Sequence, residues 1–134
     1  MSTVSSRLVR AAASIAATAV VALTVWYVVQ IGVVTLGASP VTANVASSGA
    51  AIALALSLSD IYLPIGGGPR TDVLRERPPL QNALDALSAA VLAGVAGYAL
   101  GWSGFTDWVG IALAAVVGYG SFVVRHREEY IARE

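Results

Sequence analysis

Asp60 and Asp85 are carboxylates embedded in long apolar stretches of this chain. An acid in apolar surroundings is where a cation site or a proton relay would be built. A charge near the centre of a membrane helix costs about 2.5–3.5 kcal/mol on insertion scales, so such residues default to a functional reading. A plainer chemistry competes with it, in which each acid is held by a neighbouring group. Asp60 falls near the end of its run, where a helix C-terminus disfavours negative charge. Arg70, Arg75 and Arg77 follow within 17 residues, and one of them is expected to supply the counter-ion. Asp85 falls near the start of its run, where the helix dipole favours an anion and Gln81 and Asn82 keep the turn polar. Structural ion pairing is the expectation for both acids.

Other reactive residue types are sparse. With no Cys, the chain has no thiolate nucleophile, no disulfide and no iron–sulfur ligation. With no Lys, it cannot form a Schiff base through a side chain. The sole imidazole, His126, stands between Arg125 and Arg127 and is expected to be solvated. One His cannot build a bis-His haem or a His-rich metal site. The run Gly66-Gly67-Gly68-Pro69-Arg70 lacks the GxxxxGK[ST] spacing of a phosphate cradle and reads as a flexible loop. Gln30 is a lone amide in an apolar run, expected to make an interhelical hydrogen bond. No nucleophile–base pair, metal cluster or cofactor loop stands out. No catalytic, cofactor-binding or metal-binding residue is therefore assigned, and the chain is read as a non-enzyme.

The elements that carry these residues are legible from composition. Apolar residues make up 57% and charged residues 12%, too little polar surface to cover a soluble core. The expected fold is all-α and polytopic: one membrane domain with four transmembrane helices in two hairpins. The spans fall at about 11–36, 41–63, 80–101 and 108–124, with an inner loop at 64–79 and an inner tail at 125–134. The first run, 26 residues long and without a small-x-small cleavage site, reads as a membrane helix and not as a cleaved leader. The second run is the most polar, carrying Thr42, Asn44, Ser47, Ser48, Ser57, Ser59 and Asp60. Charge decides that it spans. With four spans, all eight Arg fall on one side and none on the other, as the positive-inside rule requires. Both termini and the inner loop are then cytoplasmic, or on the equivalent inner side. The all-Arg cation set points to a high-GC or halophilic coding bias, and the expected source is prokaryotic or viral.

Small residues recur at spacing four. Ala89, Ala93, Gly97 and Gly101 share a stripe in the third run, beside Ala86, Ala90 and Gly94. Gly110, Ala114 and Gly118 do so in the fourth, and Gly49, Ala53 and Ser57 in the second. In lipid, such stripes let helix backbones approach closely, within one bundle or between subunits. The expected partners are the lipid bilayer and other membrane helices, in a homo- or hetero-oligomer. Zero net charge gives no field for nucleic acid. The function expected is a structural or accessory subunit of a larger membrane assembly, cellular or viral. The alternative is a small homo-oligomeric channel, holin-like pore or transporter using Asp60 and Asp85. Topology is open to direct test. Cysteines placed at Ser5, Thr71 and Ala132 should all react with an impermeant thiol reagent from the inner side, whereas outer labelling at Thr71 would mean that the second run does not span.

Overall fold

The computed structural model describes residues 2–62 and 77–127, with side chains from Ser5 onward. The fold is all-helical: α1 (Ser2–Thr35), α2 (Pro40–Tyr62), α3 (Pro79–Trp102) and α4 (Trp108–Arg125). All four are long and apolar enough to cross a membrane. Local chemistry fixes their ends. α2 and α3 begin with Pro, whose missing N–H is no loss at a first helical position. The Ser39 hydroxyl accepts from the Thr42 amide, and the Asp107 carboxylate accepts from the Val109 amide, capping α2 and α4. Gly37 and Gly104, both at φ 105°, supply the left-handed residue that turns the chain after α1 and α3.

The helices overrun the expected spans chiefly at α1, which starts at Ser2 and not at residue 11. Nothing breaks it sooner: no Gly or Pro occurs before Gly32. At 1.5 Å per residue its 34 residues reach about 51 Å, well beyond a hydrocarbon core about 30 Å thick. Most of the inner loop and inner tail lies outside the described residues.

α2 is the centre of the bundle and packs against α1, α3 and α4. The most polar run is thus the most enclosed, and the buried interior is built from small groups. Among the described residues, ten of the fourteen buried hydrophobic ones are Ala, whereas Leu23, Val28, Leu84, Val91, Val95 and Val116 point outward. A soluble domain buries its Leu and Val and turns polar groups outward. This chain does the reverse, which suits an exterior of hydrocarbon and a multi-pass membrane protein.

The small-residue stripes do their packing inside the bundle. A Cβ built on Gly97 would lie 2.7 Å from the Cα of Ala46 and 2.9 Å from the Val45 carbonyl oxygen. One on Gly118 would run into the Ala89 carbonyl and come within 2.6 Å of the Ala93 Cβ. Gly49 faces Ala114 in the same way, and Gly101 faces Thr42. Gly110 differs from the expectation: its close neighbour is the Phe105 carbonyl of its own preceding turn, not another helix. A few larger side chains fill the remaining space, with Phe122 fully buried against Ile61 and Ala89.

These contacts predict a sharp contrast. Gly97→Leu should destabilise the bundle in detergent by roughly 1–3 kcal/mol or more, because neither backbone can yield. Gly32→Leu, where an added Cβ meets nothing within 4 Å, should be near neutral. Equal thermal midpoints for the two variants would refute the close α2–α3 contact.

Candidate functional site

Apart from Asp107, the charged side chains of the described residues gather at the end of the bundle opposite the 36–39 and 103–107 turns. Asp85 is their hub. It sits on the seventh residue of α3, beyond the first turn where the helix dipole acts strongly, so dipole stabilisation does not account for it. Two Arg side chains and an imidazole surround it instead. Arg77, just ahead of α3, places Nη2 2.6 Å from Oδ2. Arg125, in the last turn of α4, lies 3.6 Å from Oδ1 and also donates through Nη2 to the Asp85 main-chain oxygen at 3.1 Å. His126, the residue that caps α4, brings Nε2 to 3.0 Å from Oδ2.

His126 departs from expectation: it is buried, not solvated. Its ring lies over Phe122, with centroids 4.4 Å apart, and its Nδ1 faces the Phe122 carbonyl at 2.8 Å. Both polar neighbours of the ring, a carbonyl and a carboxylate, are acceptors. A neutral ring donates to one of them, and a doubly protonated ring donates to both. A helix C-terminus also favours cations there, a signal already present in the order Arg125-His126 at the end of an apolar run. A Ser–His–Asp relay would need a hydroxyl at the second ring nitrogen, where the Phe122 carbonyl stands.

Asp60 is met differently. The Tyr119 hydroxyl donates to Oδ2 at 2.5 Å, joining α2 to α4. Of the three Arg expected to hold Asp60, Arg77 is given to Asp85, and Arg70 and Arg75 lie outside the described residues. Tyr119 is the residue that sequence reasoning missed. A signal existed: a Tyr inside a membrane run must find a partner for its hydroxyl, and Asp60 stands at a similar depth. The two acids thus meet separate partners, both drawn toward the C-terminal part of α4.

The polar stripe of α2 is likewise consumed in contacts. Near the turn end, the Trp26 indole donates to Ser48, Ser47 donates to the Gln30 amide oxygen at 2.9 Å, and Gln30 reaches the Pro40 carbonyl. Gln30 therefore makes the interhelical bond expected of it. Further along, Ser57 and Ser59 donate back to the carbonyls of Ala53 and Ala55. Among the described residues no group of three or more His, Cys, Asp or Glu side chains could hold a metal ion.

Comparison with protein-family models, with curated proteins and with solved structures finds no match to this chain.

The hub makes a graded prediction. Asp85→Ala leaves Arg77 and His126 facing each other without an anion. It should cost roughly 1–3 kcal/mol, less than the about 3–5 of a fully buried pair because Arg77 and Asp85 keep some water contact. Arg125→Ala, at the exposed rim, should cost under about 1 kcal/mol. Thermal unfolding of the two variants in detergent checks the order, and a reversed ranking would displace Asp85 from the centre of the network.

Proposed function

We propose that the chain inserts in a membrane as two helical hairpins, α1–α2 and α3–α4. Both termini and the 64–79 loop lie on the inner side, and the chain serves as a structural or accessory subunit within a larger assembly of membrane helices. The observation that carries this reading is how the polar groups are spent. Asp60, Asp85, Gln30, Ser47 and Ser48 each engage a partner within the bundle, so among the described residues these polar groups are spent on contacts between helices and not on a path through it. Neighbouring helices meet end to start: Gln30 late in α1 reaches Pro40 at the start of α2, and Gly101 late in α3 faces Thr42. Short turns and the one-sided distribution of Arg agree with that topology.

A partner surface is available on α1. None of its apolar span is buried within this chain. Ala12, Ala16, Ala19 and Leu23 follow one another at spacings of three and four on its outward side. Small residues on an uncovered helix face suit close approach of a second helix. Ala16→Trp should therefore separate the chain from its assembly in mild detergent, read as a shift to smaller size on gel filtration, while leaving its helicity intact. In proteoliposomes, Asp60→Asn should leave proton and cation flux at the wild-type level. A wild-type flux abolished by Asp60→Asn would replace the subunit reading with that of a channel or transporter.

A further inference from the structure

A groove of about 880 Å³ opens between the N-terminal half of α1 and the C-terminal end of α2. That volume is in the range of sites that hold small ligands, about 300–1,000 Å³. Its two ends differ in chemistry. Arg7 and Arg10 stand at one end, the end at which α2 closes with Tyr62, and Ala17 and Val21 on α1 with Leu58 on α2 line the groove beyond them. Both Arg side chains are exposed, one turn apart, and neither has an ion-pair partner among the described residues. In this they contrast with Arg77 and Arg125, which are committed to Asp85. Among the described residues no carboxylate lines the groove.

The groove also has a telling length. From Arg10 to Val21 is eleven residues of helix, about 16 Å. One leaflet of a hydrocarbon core about 30 Å thick is about 15 Å deep. A cation pair at headgroup level, followed by an apolar trough as deep as one leaflet, matches a molecule with an anionic head and a hydrocarbon tail. A zwitterionic head would bring an ammonium group to a rim where the described residues offer two cations and no acid.

We propose that this groove binds one anionic phospholipid of the inner leaflet, its phosphate held by Arg7 and Arg10 and an acyl chain laid along Ala17, Val21 and Leu58. The inference rests on the inner-side placement of the N-terminus proposed above. It makes the position of α1 responsive to lipid charge, because the lipid fills the gap between α1 and α2.

Native mass spectrometry of the full chain in mild detergent, with equimolar phosphatidylglycerol and phosphatidylcholine added, tests it. The wild type should retain phosphatidylglycerol preferentially. Arg7→Gln with Arg10→Gln should cut that preference on the order of thirty-fold, about five-fold for each cation near an anionic surface. Arg127→Gln, an exposed Arg at another helix end, should leave it unchanged, and Arg7→Lys with Arg10→Lys should preserve most of it. Ala17→Trp, which fills the trough, should lower retention of both lipids. Circular dichroism checks that each variant keeps its helices. Equal retention of the two lipids by the wild type, or a preference that survives in the Gln pair, overturns the proposal. So does an Ala17→Trp variant that changes oligomeric state without changing lipid retention, because a protein helix would then occupy the groove. If the lipid preference fails while the chain still needs detergent to stay in solution, only the groove assignment falls and the membrane reading stands.

Discussion

The bundle depends on how closely α2 can approach α3 and α4. Hydrocarbon chains are as apolar as Leu, so burying Leu against Leu gains little inside a bilayer, and attraction must come from contact at short range. Gly97 against Ala46, and Gly118 against Ala89 and Ala93, bring the backbones to distances at which even a methyl group has no room. Once that approach is made, the other features follow. Ala fills the interior, bulky aliphatics are displaced to the exterior, and the polar side chains of α2 are brought within reach of groups on its neighbours.

Polar groups then give the bundle its specificity. Smooth Ala surfaces can slide along one another, and dispersion forces alone discriminate weakly between registers. The Asp60–Tyr119 bond at one end and the Ser47–Gln30 and Trp26–Ser48 bonds at the other pin α2 to α4 and to α1 at fixed heights. Asp85 performs the same office between α3 and α4 through Arg125 and His126. Each slip of one turn would leave a carboxylate in an apolar medium without its partner.

Much of this was legible in the sequence, for physical reasons that differ by residue. Helix-forming runs and their turns follow from local hydropathy, Pro and Gly, so α2, α3 and α4 fall within a residue or two of the expected bounds. The stripe Ala89, Ala93, Gly97 and Gly101 was readable because spacing four places residues on one helix face, and all four are buried. Gly110 shows the limit of that rule, since periodicity does not reveal whether a neighbouring turn already occupies the face. Tyr119 and His126 escaped for another reason. Each owes its role to an acid 59 or 41 residues away, and pairing over such separations is set by helix order and register, not by local pattern. The early start of α1 escaped because hydropathy marks where a helix meets lipid, not where it begins.

The separation between Asp60 and Tyr119 has a consequence for how the protein is made. Chains emerge N-terminus first, at about 5–20 residues per second. The 59 residues between the acid and its hydroxyl donor therefore correspond to about 3–12 seconds of synthesis. During that interval α2, the helix with the most polar side chains, is joined first by α1, which offers Trp26 and Gln30 to its far end, and then by α3, which packs on it through Gly97 and Gly101. The bond from Tyr119 to Asp60 forms only once α4 arrives. The hydroxyl that completes the bundle is thus delivered last, and a chain cut short before Tyr119 would carry an acid that still lacks this donor, a mark by which quality control could tell an unfinished copy from a finished one.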